Sequence, residues 1–309
     1  MPLTIDCRDD AAPIELAELV QALEERFDPR DAEGLAAWAP ALRRLAGNRR
    51  FLGDLVIDEL KQHCAGQSAR NQYSAQVILL HGSRRFLVRA NFWPSETDSV
   101  YANSGPQSFF YGAPHDHNFS FLTVGYLGPG YWSDYYEYEY DRVTGCPGEA
   151  VDLRFVERAR LSQGKVMLYR EHLDVHSQLP PESLSVSLNI LALSPASEFQ
   201  EQYSFDVENA RIAGILNPSA LETMVRLAAT FGGGNGRDLI EDFAARHPSD
   251  RIRFAAWRAK AAAAPDVEAR IAVYDEAARR LTGLAAALAA REAQRVRAAR
   301  EWIGQGVAA

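Results

Sequence analysis

Three histidines carry the first chemical signal. His115 and His117 flank Asp116 in the run FFYGAPHDHNFSFLTVGYLG, and His176 follows 59 positions after His117 in YREHLDVHSQLPP. Side chains two apart on a strand point the same way, so a strand over Phe119 to Val124 that continues the triplet sets His115 and His117 on one face. Two imidazoles on the inner wall of a barrel make two thirds of a metal site. A later strand folded back beside them can bring the third nitrogen. The result is a mononuclear three-histidine metal centre, which is the chemistry of an enzyme.

Other residues could serve the same centre. His172 competes with His176 for the third position, since only one of the two can point inward. His176 is favoured because Gln178, on the same strand face, offers its ring a hydrogen-bond partner. Arg89 interrupts the apolar run FLVRANFW, where a charge is either outward and solvated or inward and paired, in the latter case binding a substrate carboxylate. Tyr135 belongs to the alternating run YYEYEY and is a candidate catalytic phenol. Phe119 and Phe121 share the histidines' face and would form a dry wall beside them. Between Tyr101 and Tyr140 lie 13 of the 31 aromatic residues, a density that barrel packing mostly explains. His81 falls in a predicted turn, and His63 and His247 lie in helical segments without a partner histidine.

The elements that must position these groups change character twice along the chain. Ile14, Leu16, Leu19, Val20 and Leu23 recur at helical spacing, Leu35 to Leu45 and Phe51 to Leu60 repeat the pattern, and residues 13 to 65 read as helices that flank a sheet. From Gln76 the period shortens: VILLHGSRRFLVRANFW reads as a hairpin turning at His81, Gly82 and Ser83. Pro94 to Gln107 is a candidate lid or substrate loop, and further short strands run to Phe205 with no helix between them. Helical spacing returns in 208 to 231, 237 to 246, 250 to 263 and 266 to 303, the last starting at Pro265 and Asp266 and carrying an apolar stripe of Val267, Ile271, Tyr274 and Leu281.

On these motifs the central 130 or so residues resemble a cupin. Gly112, His115, His117 and Gly125 or Gly128 match the superfamily's first motif, and Gly164 and His176 its second. Where cupins place a glutamate ligand, four or five positions past the second histidine, this chain has Phe121 and Leu122. A metal held by nitrogens alone resembles the cysteine-dioxygenase branch, although no cysteine closely follows the HDH triplet and no tyrosine stands between His176 and Phe199. A 2-oxoglutarate enzyme would need an acidic ligand and an arginine where Ser185, Val186 and Ser187 stand. The resemblance implies an α+β fold: a cupin-type antiparallel β-barrel or sandwich (71–205) between an N-terminal helical segment (1–70) and a C-terminal helical domain (206–309). It implies Fe(II) at His115, His117 and His176 with O2 as co-substrate and a small-molecule or peptide-borne substrate. Zn, Mn or Ni in an isomerase or lyase is the alternative, and a ligand-binding barrel without catalysis is another.

Bulk composition bounds the partners. The 309 residues carry a net charge of −8, which argues against general nucleic-acid binding. The charge is uneven: from Arg251 onward, 11 Lys and Arg face 6 Asp and Glu, an excess of five positive charges in an alanine-rich helical stretch. Cys7, Cys64 and Cys146 are odd in number and far apart, which fits a reducing interior without disulfides. The N-terminus has acids where a signal peptide has bases, and no run approaches the ~20 apolar residues of a membrane span. A cytoplasmic protein is expected, its helical flanks open to serving as a homodimer interface, a substrate-recruiting surface or a cover for the barrel.

Overall fold

The computed structural model describes residues 2–7, 12–63, 76–300 and 302; Cys64 and the end of the helical stretch expected to reach residue 65 lie outside the described residues. The chain divides into two compact units. The first comprises Met1–Tyr140, Val151–Glu198 and Gln202–Ala210, and the second Asp141–Ala150, Phe199–Glu201 and Arg211–Ala309.

The first unit is layered. After a short strand β1 (Leu3–Ile5) come four helices, α1 (Leu16–Arg26), α2 (Ala32–Ala36), α3 (Ala39–Gly47) and α4 (Phe51–Lys61). The expected hairpin is β2 (Val77–Gly82) and β3 (Phe86–Trp93), but it turns at Ser83 to Arg85, so His81 sits within β2 rather than in the turn, 3.0 Å from Glu24. The Pro94 to Gln107 segment holds a short helix, α5 (Ser99–Ser104). β4 (Phe121–Leu127), β5 (Tyr131–Glu137), β6 (Arg154–Leu161), β7 (Val166–Tyr169), β8 (Asp174–Gln178), β9 (Ser185–Ala192) and β10 (Tyr203–Asp206) complete the unit. A six-stranded antiparallel sheet runs in the order β1-β7-β4-β9-β3-β2, and a three-stranded one in the order β6-β5-β8.

Period two decides which residues face which layer. Leu122 pairs with Ile190, Val124 and Ala90 with Leu188, and Val88 with Ile190; these positions pack with Leu19, Leu23, Leu42 and Leu45 of α1 and α3. The helices therefore cover one face of the large sheet, as the sequence leads one to expect. Alternate residues point the other way: Phe121 pairs with Leu191 and Tyr169, and these join Trp93, Tyr131 and Tyr135 in a second apolar cluster. Between these apolar residues the same face carries Arg89 opposite Asn189, and Asn91 opposite Ser187. Polar groups in otherwise apolar strands mark where a site can lie.

The longest segment of the second unit opens with β11 (Arg211–Ile215), which corrects the expectation of helix from residue 208. Asn217-Pro218 holds the chain extended, and Ser219 then caps α6 (Ala220–Phe231). α7 (Gly233–Arg246) starts four residues before its expected position, because the glycines there belong to the helix. A Cβ on Gly236 would collide with the Ala228 carbonyl oxygen, so the glycine permits a close helix approach. Asp266 caps the next helix as expected, accepting from the Ala269 N–H at 2.7 Å. The stretch from 266 is not one helix, however. α8 (Asp250–Ala262) is followed by α9 (Val267–Arg280) and α10 (Gly283–Ala298), with a break at which Gly283 adopts φ +57°. Alanine-rich propensity on both sides of that break conceals it. Ile271 and Tyr274 of the expected stripe are buried with Trp257, Ala289 and Val296. Cys146 is a free thiol, and no helix of the described residues is long and apolar enough to cross a membrane.

Candidate metal centre

The histidine triplet is not part of a regular strand. The strand expected over Phe119 to Val124 runs instead over Phe121–Leu127, and the triplet precedes it, held by backbone hydrogen bonds to the β8 region. The His115 N–H donates to the His176 carbonyl at 3.0 Å and the His176 N–H returns to the His115 carbonyl at 2.9 Å. This single antiparallel bridge sets the first histidine against the third. Farther along, the His172 N–H donates to the His117 carbonyl at 2.9 Å.

Asp116 explains how the triplet keeps its shape. Its side chain is fully buried and turned away from the imidazoles, Oδ1 accepting from the Tyr203 N–H and Oδ2 from the Tyr138 hydroxyl, both at 2.6 Å. The Asp116 N–H donates in turn to the Tyr203 carbonyl at 3.1 Å. A carboxylate that accepts two short bonds ties the peptide between the two histidines to β10 and to Tyr138.

The three rings converge. His176 Nε2 lies 3.0 Å from His117 Nε2 and 3.1 Å from His115 Nε2, and all three residues are buried. They form a group that could hold a metal ion. Burial depresses the proton affinity of each imidazole, and the Arg89 guanidinium lowers it further, so the rings are neutral lone-pair donors. His115 Nδ1 donates to the Ala113 carbonyl at 2.7 Å, which leaves its Nε2 free to ligate. The Gln178 amide nitrogen lies 2.9 Å from His176 Nδ1 while its Oε1 is buried without a partner. Exchanging the two ends of that amide puts Oε1 on Nδ1–H and frees Nε2 of His176 in the same way.

A metal fits this donor set. At metal–nitrogen lengths of about 2.0–2.1 Å, nitrogens separated by 3.0–3.1 Å subtend roughly a right angle. The His176–His117 and His176–His115 pairs are each spaced for neighbouring positions on one ion. His172 is outside the group: its ring centroid lies 3.9 Å from that of Tyr140, and its Nδ1 is 3.8 Å from Asp116 Oδ2.

A cavity of about 250 Å³ opens on the three histidines. Phe119 and Phe121 wall it beside His117, each ring centroid 4.9 Å from the imidazole. Arg89 and Gln178 both line it. Tyr135 is set back: its hydroxyl meets that of Tyr169 at 2.9 Å, and it is Tyr169 that lines the cavity, stacked on Phe121 at 4.4 Å. Burial raises the Tyr169 phenol well above its ordinary value, so it stays protonated. Sequence reasoning passed over Gln202, whose amide nitrogen is 3.5 Å from His117 Nδ1, and the buried Asn189–Asn91 pair at 3.1 Å. Lone amides inside RANFW and SLNILAL were the available signal; for Gln202, 85 residues from His117, none was.

No protein-family model and no curated protein matches the chain. Solved structures do. The DMSP lyase DddQ from Ruegeria pomeroyi matches with 10% identity over 41% of this chain and 51% of its own, at a TM-score of 0.25. A cupin domain from Bordetella pertussis matches with 12% identity over 38% of this chain and 92% of its own, at 0.23. A cupin-like protein from Thermotoga maritima matches with 12% identity over 39% and 69%, at 0.21. The chain thus spans about half the length of the lyase. Scores of this size leave the functional reading to the site's own geometry.

Proposed function

We propose that the chain is a mononuclear non-haem Fe(II) oxygenase that oxidises a small or peptide-borne organic substrate without 2-oxoglutarate. The observation that carries this reading is the set of three neutral, buried imidazoles, with His117 and His115 Nε2 each within 3.1 Å of His176 Nε2 and no carboxylate among them. Iron(II) held by His115, His117 and His176 would supply the one-electron chemistry that O2 requires.

The remaining work falls to this chain's side chains. Arg89 offers a fixed positive charge to an anionic substrate group, and the low dielectric of the aromatic wall strengthens that attraction. Phe119 and Phe121 exclude water from the histidines. Gln178 holds the His176 ring in the ligating tautomer. Tyr169, kept neutral by burial, can donate a hydrogen bond or a proton from its hydroxyl, and Tyr135 fixes the direction of that hydroxyl.

Anaerobic loading with Fe(II), followed by O2 uptake across a panel of small acids, thiols and short peptides, tests the reading. Uptake should require Fe(II) and be indifferent to 2-oxoglutarate. Full turnover under strict anaerobiosis with zinc in the site would refute it and make the protein an isomerase or lyase.

A further inference from the structure

The second unit contains a cavity of about 360 Å³ that no part of the metal chemistry uses. Four arginines line it, one from each of four helices: Arg226 of α6, Arg258 of α8, Arg270 of α9 and Arg295 of α10. Like charges gathered from four separate elements repel, and nothing in helix packing requires them there. The two carboxylates in the same wall are already engaged. Glu292 pairs with Arg295 at 3.0 Å and Glu222 with Arg251 at 3.5 Å. Arg226, Arg258 and Arg270 make no ion pair with any described residue, and Arg270 Nε is sealed from solvent with no hydrogen-bond partner.

Tyr274 lies in the same wall and is itself buried; burial and the Glu292 carboxylate raise its phenol while Arg258, Arg270 and Arg295 pull the other way, so it stays protonated. It is a neutral donor among these charged groups. Ala255, Ala259 and Val296 supply an apolar patch, and the volume exceeds what a bare inorganic anion fills. The excess of positive charge that the sequence places after Arg251 is thus partly gathered around one concavity.

We propose that this cavity binds a small phosphate monoester. Several guanidinium forks from different directions suit a tetrahedral dianion, whose oxygens spread in three dimensions, better than a planar carboxylate. The organic part of the ester would lie on the apolar patch.

Calorimetric titration of the full chain, at matched ionic strength, with glycerol phosphate, inorganic phosphate and succinate tests the assignment. Glycerol phosphate should bind with a Kd below about 1 mM and more tightly than inorganic phosphate. R270Q and R226Q should each weaken it by about ten-fold, the loss of one charge-assisted contact. Arg226 is exposed, so R226Q keeps the measurement decisive even if R270Q misfolds. H117A should leave the affinity unchanged, which separates this cavity from the histidine site and from the oxygenase reading. Wild-type affinity in both arginine variants, no binding at all, or equal binding of succinate would overturn the proposal.

Discussion

The two cavities of this chain handle charge in opposite ways. In the first unit three neutral imidazoles face one another behind an aromatic wall, and a bound cation would bring the charge. In the second unit three guanidiniums with no ion-pair partner among the described residues line an alanine-rich helical wall beside the Glu292–Arg295 pair, and an anion would balance them. Sheet register accounts for the first arrangement, because alternate residues of paired strands and one backbone bridge put side chains far apart in sequence within 3.1 Å. Helical faces account for the second, in which each helix contributes one long arm. A sheet places short side chains accurately; a bundle gathers flexible ones around a volume.

The sharpest way to break this contrast is to remove a nitrogen. His115→Ala, His117→Ala and His176→Ala should each reduce metal content to less than about a tenth of wild type, as loss of one of three ligands implies, with far-ultraviolet circular dichroism unchanged. His172→Ala should retain full metal content by elemental analysis. Should His172→Ala empty the site while His176→Ala does not, the assigned ligand set is wrong.

Asp116→Asn probes the scaffold rather than the ligands. It keeps the volume but loses one charge-assisted acceptor between Tyr138 and Tyr203, so the peptide joining His115 and His117 loosens. Metal affinity should fall by about ten-fold, in the range found when groups that orient ligands are altered. An unchanged affinity in a competition assay with a chelating dye would show that β8 alone holds the triplet.

What the sequence made legible follows the same division. The clustering of His115, His117 and His176 could be read because a spacing of two and a histidine on a later strand are visible in the run of residues. The strand register around the triplet could not, since the bridge of His115 to His176 is a contact between distant residues and displaces β4 by two positions from the apolar run. In the second unit, helical spacing revealed Ile271 and Tyr274 as buried, but the break before Gly283 depends on one left-handed residue, and the arginine cavity depends on how four helices are arranged. Period and propensity describe an element; neither describes what gathers between elements.

Acidity should separate the two units by the sign of their response. Glu201, in the second unit, is buried, and burial raises its carboxyl to about 7 against the opposing pull of Arg251. The two groups lie 2.9 Å apart, yet Oε2 and Arg251 Nε are not aligned as a hydrogen bond. A raised folded value contributes stability that is fully present below the ordinary value of 4.5 and is lost as pH rises through about 7. The histidines run the other way. Their values are lowered by burial, so in metal-free protein stability is present above about 6.5 and is lost as pH falls below it. Thermal melts of metal-free protein should show Glu201→Gln removing a decline of at most about 1 kcal/mol per pH unit between about pH 4.5 and 7. His117→Ala should soften the decline on the acid side. Identical pH profiles for wild type and Glu201→Gln would mean that Arg251 holds the carboxylate ionised.

The smallest effect is expected at Tyr135, and it decides where the working wall of the proposed oxygenase site ends. Its hydroxyl touches Tyr169 at 2.9 Å and Met167 Sδ at 3.8 Å, and no part of it lines the cavity. Tyr135→Phe therefore leaves the Tyr169 hydroxyl short of one partner but changes nothing that a substrate would meet. The cost should be about 1 kcal/mol of stability, the usual size for one buried hydrogen bond, with metal content unchanged and O2 uptake within about two-fold of wild type. Tyr169→Phe removes a group from the wall itself and should depress uptake more at equal metal content. If Tyr135→Phe instead stops uptake while metal content and melting temperature hold, the proton on Tyr169 is passed through Tyr135, and the boundary of the reacting groups moves one residue outward from the cavity.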